Sequence, residues 1–413
     1  MTAPPIAASA VFRHRDFRLF QGTRFLATLA TQMQSVAVGW HVYSVTHQPM
    51  DLGYVGLAQF LPAVVLSLFS GDAVDRYDRR RIMIACHGGF ALCAGMLWYA
   101  AQHREFGVAP VYAALVVYGT TRAFAGPGGQ AIMPDLIPVE EFGSAVAWSE
   151  TIWQGAAILG PALGGLLYGC FGSAAPVFAI AAMLSLGALA MMFAVRVQPR
   201  RKPPSDSGWS RLLAGIHYVW TEKVILGAIS LDLFAVLLGG AVGLLPIYAR
   251  DVLHVGPAGL GLLRSAPAIG ASAVALLLAF RPLSRRAGPV MLACVLMFGI
   301  ATVVFGLSRS FTVSLAALIV VGATDMISVV VRHTVVQLRT PADMRGRVSA
   351  VNSVFIGASN QLGEFESGIT AAWFGAVPAV VLGGLGTCAI VLIWATLFPA
   401  LRRVDRLIPE SGS

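Results

Sequence analysis

The chain has 413 residues, of which 57% are hydrophobic and 12% charged, with a mean hydropathy of +0.74. A soluble globular chain carries about 25% charge, so composition excludes that class. The net charge of +9 does not point to nucleic acid, because the basic residues fall in short segments between long apolar runs, which is a membrane-topology signal.

Residues 1–16 are short, polar and basic; the first apolar run carries Arg24 and Gln32 and ends without a cleavage-like site, so no cleavable signal peptide is expected. Onward from there, the apolar runs predict twelve membrane-spanning helices near residues 17–44, 52–71, 80–101, 109–130, 143–169, 174–195, 223–249, 257–279, 288–308, 311–333, 345–372 and 376–400. Gly and Pro inside these runs do not veto them, because membrane helices tolerate both. The five cysteines (Cys86, Cys93, Cys170, Cys294, Cys388) all lie in apolar runs without a CxxC spacing. They are expected to pack, and to form neither a disulfide framework nor a metal site.

Between the second and third runs lies Gly71–Met83, GDAVDRYDRRRIM, with three aspartates and four arginines. Charge this dense must occupy a water-exposed turn, and its arginines place that turn on the cytoplasmic side. Counted with the N-terminus inside, the inner segments hold 23 Lys and Arg, including Arg332 as part of the segment leading into loop 10–11. The outer loops hold Arg104, Arg250 and Arg309, and three more (Arg24, Arg122, Arg264) fall within spans. That bias predicts an even number of spans with both termini cytoplasmic.

One long connection, residues 196–222, divides the chain into a six-helix bundle over 1–195 and another over 223–413. Its first part is a basic, Pro-rich linker. Leu212, Leu213, Ile216, Val219 and Trp220 then follow a helical period, predicting an amphipathic helix lying on the inner membrane surface. The two halves are repeats. Residues 130–172 align without gaps onto 333–375 at an offset of 203, matching Pro138 with Pro341, Gly160 with Gly363, Gly165 with Gly368, and Phe171-Gly172 with Phe374-Gly375. A second block, at an offset of 205, matches Gly56-Leu57 with Gly261-Leu262 and Pro62 with Pro267.

Charge inside a bilayer is costly and normally faces a partner or a wet cavity. The charged residues well inside spans are Arg24 (first), Arg122 (fourth), Glu150 (fifth), Asp232 (seventh), Arg264 (eighth), Asp325 (tenth), and Glu364 and Glu366 (eleventh); the third, sixth, ninth and twelfth have none. Gln32, Gln34 and His41 could line a cavity or bond neighbouring helices, while Trp40, Tyr43, Trp98 and Tyr99 are expected as interfacial anchors. On the eleventh span Asn360 and Glu364 share a face, expected to look into the central cavity, whereas Glu366 points away and is expected to pair with a neighbouring helix. There is no phosphate loop, nucleophile elbow, metal-ligand cluster or nucleotide motif, so no enzyme activity and no cofactor are expected.

Three stretches carry a resemblance to the major facilitator superfamily. Gly71, Asp75, Arg76, Arg79 and Arg80 match the family's loop signature G-x-L-A-D-R-x-G-R-[RK], with Ala73 and Asp78 departing from it. Arg122-Ala-Phe-Ala-Gly126-Pro-Gly128 resembles R-x-x-Q-G-x-G, with Ala125 in place of glutamine. Ala156, Gly160, Pro161, Gly164 and Gly165 resemble the antiporter signature G-x-x-x-G-P-x-x-G-G, with Ala156 for its first glycine. The resemblance implies an all-α membrane fold of twelve helices in two pseudo-symmetric bundles, with the four uncharged spans as outer supports. It also implies a cytoplasmic gate clamp in the loop around Asp75 and a part in proton transfer for Arg122. Glu150, Asp232 and Asp325, as acids on cavity helices, are expected to join Arg122 in proton coupling, and the Asn360–Glu364 face is expected to contact substrate or proton. The fifth-span motif is associated with exporters, through close packing and a proline kink that seal a leak.

Within the family the chain looks most like bacterial drug and siderophore exporters related to the enterobactin exporter; Arg339-Thr-Pro-x-x-Met-Arg-Gly-Arg-Val348 is a phrase of that kind. The expectation is a proton-driven antiporter of small organic compounds in the bacterial inner membrane. It would work as a monomer by alternating access, with protons, substrate and the bilayer as its partners. The alternatives are a facilitator or flippase for an amphipathic lipid-like substrate and, in another class, a non-transporting receptor or assembly partner.

Overall fold

The computed structural model describes residues 10–197, 208–281, 286–341 and 344–404; among these every long element is an α-helix and no strand occurs. The first six long helices are α1 (Arg15–Thr46), α2 (Pro49–Arg76), α3 (Arg79–Gln102), α4 (Ala109–Ile132), α5 (Phe142–Phe171) and α6 (Ala174–Ala194). After the connection come α7 (Gly208–Thr221), α8 (Lys223–Leu238), the short α9 (Leu245–Ile247), α10 (Gly256–Phe280), α11 (Ala287–Leu307), α12 (Phe311–Arg339), α13 (Arg345–Phe374), α14 (Ala376–Leu397) and α15 (Pro399–Arg402).

Eleven of the twelve predicted runs coincide with one long helix each, and the seventh falls on broken helical chain. Among the described residues, nine stretches are long and apolar enough to cross a bilayer. The predicted runs outside those nine are α1, α4 and α13, which carry Arg24, Arg122, and Asn360 with Glu364 and Glu366.

The seventh run departs from its prediction. Residues 223–249 were expected as one helix, but α8 stops at Leu238 and the chain continues as a 3-10 turn over Ala241–Leu244, α9 and a π turn over Tyr248–Val252. Two glycines and their neighbours account for the break. A Cβ on Gly239 would stand 2.5 Å from a ring carbon of Phe298, and one on Gly240 would stand 2.6 Å from the Gly363 carbonyl oxygen. The chain turns where only glycine admits α11 and α13 so closely.

The amphipathic helix also differs in setting. α7 packs on protein: a Cβ on Gly215 would lie 2.7 Å from the Arg347 carbonyl oxygen, and the Tyr218 hydroxyl donates to the Arg339 carbonyl at 3.1 Å. Val219 is buried in a cluster with Val336, Val348 and Val351. Ile216 and Val219 of the predicted apolar stripe therefore cover the ends of α12 and α13, whereas Trp220 of the same stripe is exposed. The side chains of Leu212 and Leu213, and residues 198–207, lie outside the described ones.

The helices group into two compact units, residues 1–41 with 61–205, and 42–60 with 206–413. In the first, Phe20, Met83, Ile132, Met192 and Val195 join α1, α3, α4 and the end of α6 in one core. In the second, α11 meets α14 backbone to backbone: a Cβ on Gly299 would lie 2.9 Å from the Gly384 carbonyl oxygen, and one on Gly384 would lie 2.8 Å from that of Gly299. The repeat recurs in local geometry. Gly172 and Gly375, aligned in sequence, follow α5 and α13 with positive φ of +63° and +89°, which favours glycine at both, although ψ differs (13° and 160°) and only Gly172 is a left-handed cap.

Candidate functional site

The charged loop forms first from its helix start. Asp78, where the family motif has glycine, is the N-cap of α3, its carboxylate accepting from the amides of Arg80 at 2.8 Å and Arg81 at 3.3 Å. Arg79 donates to Asp135 at 2.5 Å and to the Ala131 carbonyl at 3.0 Å. Arg80 donates from Nε to the Val195 carbonyl at 2.7 Å and from Nη2 to that of Phe193 at 2.6 Å. These arginines therefore staple the start of α3 to the ends of α4 and α6 inside one unit, satisfying carbonyls that a helix end leaves open. Arg76 is exposed, and the side chain of Asp75 lies outside the described ones. Gly71 is exposed and a Cβ there would meet nothing within 4 Å, so no close approach demands glycine at that position. Asp135 was not singled out from sequence; the signal available was an acid on the same predicted membrane side as the arginine loop.

The fifth-span motif finds a specific partner. Ala156, Gly160, Pro161, Gly164 and Gly165 are all buried on α5. A Cβ on Gly160 would lie 2.5 Å from Gln32 Cβ, and one on Gly164 would lie 2.8 Å from the Met33 carbonyl oxygen. The motif thus presses α5 onto the backbone of α1. Its repeat does the same in the other unit, where a Cβ on Gly363 would stand 2.9 Å from the Val236 carbonyl and 3.0 Å from that of Leu237, at the end of α8.

Polar groups cluster around both seams. On α1 and α5, Gln21 donates to the Ser149 hydroxyl at 2.5 Å, and Arg24 sits in the electrostatic field of Glu150, whose side chain is exposed. Arg122 on α4 is exposed as well. On α13, Glu364 is half-buried between two glycines: Cβ atoms placed on Gly56 and Gly243 would come within 3.1 Å and 3.3 Å of its side chain. Asn360 is exposed, with its amide donating to the Ile356 carbonyl at 2.8 Å one turn back. Glu366 accepts from the Thr370 hydroxyl at 2.7 Å within α13, where a neighbouring helix had been expected as its partner.

The deepest charges lie in the second unit. Asp232 of α8 and Arg332 of α12 form an ion pair, 7% and 2% exposed respectively. Arg332 does not belong with the inner-segment residues: α12 continues to Arg339, so Arg332 sits two turns inside the helix and is buried. Its hint in the sequence was a lone acid, Asp232, in an otherwise apolar run. Asp325, also on α12, borders the same small pocket as Asp232, together with Thr324 and Ser328.

The family model described as Major Facilitator Superfamily matches residues 22–364. The Multidrug efflux pump Tap of Mycobacterium tuberculosis is 29% identical over 413 residues, covering 95% of this chain and 96% of that one. The Enterobactin exporter EntS of Citrobacter koseri is 25% identical over 394 residues, covering 94% and 93%. Among solved structures, a D-xylose-proton symporter superposes with a TM-score of 0.72 at 14% identity, covering 93% of this chain and 98% of that one. A peptide transporter POT reaches 0.74 at 13% identity, covering 94% and 95%.

Proposed function

The chain belongs to the Major Facilitator Superfamily, and on that premise we propose that it is a proton-coupled exporter of small organic compounds, drugs or siderophores, working by alternating access in the bacterial inner membrane. The observation that carries this reading is end-to-end similarity to an efflux pump and to a siderophore exporter, each aligned over more than nine-tenths of this chain. The seal of α5 on α1 through Gly160 and Gly164 supports the exporter direction, because close small-residue packing closes a leak path while leaving the two helices free to move as a unit.

In this reading all twelve runs cross the bilayer and both termini lie in the cytoplasm. α1, α4 and α13 are the least apolar because they line the substrate path. Asp75 and Arg76 act at the cytoplasmic gate, while Gly71 serves there only as an exposed helix residue and Arg79 and Arg80 brace α3. Arg122, Glu150, Asp232 and Asp325 are the groups available for proton coupling, and Asn360 and Glu364 face substrate. A cavity carboxylate can exchange its proton for a substrate when desolvation and a nearby cation set it near its switching point.

A panel uptake assay in inverted membrane vesicles, with and without an imposed proton gradient, tests this. Gradient-driven accumulation of ethidium supports drug export, and accumulation of catecholates alone supports siderophore export. Gradient-independent movement of lysolipid would replace the reading with a flippase, and movement of no compound would sink transport altogether.

A further inference from the structure

We infer that Asp232, Asp325 and Arg332 form a single-proton centre in the second unit, with Arg332 as the cation that the two carboxylates share. The coupling role of that proton rests on the proposed export function; its presence does not.

Geometry brings the three groups together. Asp325 and Arg332 are spaced i, i+7 on α12 and so stand about 20° apart on one face, over about 10 Å of axis, with Ser328 (i+3) about 60° round from Asp325. Side chains on a helix lean toward its N-terminus, which from Arg332 is the direction of Asp325. Asp232 comes in from α8 to pair with Arg332, and Asp232 and Asp325 border one pocket. That pocket has an open volume of about 10 Å³, the size of one water site. α11 contributes Val295 and Phe298 to its wall, and Thr324 and Ser328 are its uncharged polar groups. The neighbouring titratable residue on α12 is His333, which Arg332 already faces electrostatically. Arg332 Nε is buried and makes no hydrogen bond among the described residues, so the guanidinium has donor capacity beyond the pair with Asp232.

Charge balance then fixes the proton count. A permanent cation with one carboxylate is neutral; with two ionised carboxylates the cluster carries a net negative charge in a low-dielectric interior, which is strongly disfavoured. The low-energy state keeps one carboxyl group protonated and the other paired with Arg332. Moving that proton between Asp232 and Asp325 swaps the partner of Arg332 from α8 to its own helix, which loosens or tightens the hold of α12 on α8. The repeat sharpens the assignment: 203 residues earlier stand Arg122 and Gly129, so the first unit has no such trio at the matching positions.

Infrared difference spectroscopy on the purified, reconstituted full chain tests this without any substrate. Wild type minus Asp325→Asn at neutral pH is expected to show loss of one carboxylic C=O stretch and no loss of carboxylate signal. Asp232→Asn should remove the same carboxylic band, because Asp325 then ionises to pair with Arg332. Arg332→Gln should roughly double it. Asp325→Asn leaves the Asp232–Arg332 pair intact and so is expected to fold even if the other variants do not. A difference spectrum for Asp325→Asn showing only a lost carboxylate would overturn the proposal. For the coupling role, inverted vesicles carrying Asp325→Asn should still equilibrate ethidium but lose its gradient-driven accumulation. Full accumulation in that variant removes the coupling role. A wild-type protein with no gradient response removes the export reading instead, and leaves the infrared result to decide the proton.

Discussion

Arg79 donates to Asp135 at 2.5 Å, joining the first residue of α3 to the turn that ends α4, and the two side chains are only 13% and 5% exposed. A clamp of this kind holds a bundle end together from within one unit.

Breaking the pair from one side leaves an uncompensated, largely buried charge, which costs about 3–5 kcal/mol. Asp135→Asn and Arg79→Met should each lower the thermal midpoint in detergent, and the double variant should recover part of the loss. Arg81→Ala is the control. Its side chain is 86% exposed beside Asp78, and such surface pairs contribute less than about 1 kcal/mol. Equal midpoints for Asp135→Asn and Arg81→Ala would contradict the clamp.

Glycines in the three motifs differ in what surrounds them. Gly160→Ala must push apart α5 and α1, since its Cβ would fall 2.5 Å from Gln32 Cβ, and overpacking of this kind costs about 1–3 kcal/mol. Gly71→Ala and Gly126→Ala meet nothing within 4 Å and should be neutral in stability. Thermal melts of the three variants check this, and a Gly160→Ala protein as stable as Gly71→Ala would show that α5 is held elsewhere.

Much of this fold was legible because membrane helices announce themselves by length and apolarity, and because the repeat supported the division into two halves. The break in the seventh run was not. Its cause, Gly239 against Phe298 and Gly240 against Gly363, lies in residues 59 and 123 positions away that periodicity cannot connect. The α5 motif was legible as a packing surface, yet nothing in it named Leu29–Met33 of α1 as the partner. Arg332 was missed for a physical reason as well. An arginine near a helix end is normally a topology marker, and only the position of Asp232 on α8 turns it into a buried ion.

At the far end of α1, the Tyr43 hydroxyl donates to Asp251, and the guanidinium carbon of Arg250 stands 6.0 Å from the centre of the Tyr43 ring. Both partners belong to the π turn, whose own closing bond runs from the Leu253 amide to the Tyr248 carbonyl at 2.8 Å. Tyr43→Phe keeps the ring and removes the donor. Hydrogen exchange of amides 248–253 should quicken in that variant and in Asp251→Asn. Unchanged exchange in both would mean that the turn is held by its backbone bonds alone.

Removing Arg332 from the predicted inner-segment count still leaves 22 basic residues on the predicted inner side against three on the predicted outer side. Cysteines introduced at Thr2 and Ser413 should therefore react with a membrane-impermeant maleimide only in inverted vesicles. Labelling of either in intact cells would break the even-numbered topology.

The central claim, exchange of an organic compound for protons, is tested most directly by proton flux. Proteoliposomes holding a pH-sensitive dye would be given an inward gradient of whichever panel compound inverted vesicles accumulate most. Antiport predicts that the lumen turns alkaline as the compound enters, in proportion to the amount that enters, and that a protonophore abolishes the change. Entry of the compound with a constant lumenal pH would contradict proton-coupled export and leave a facilitator.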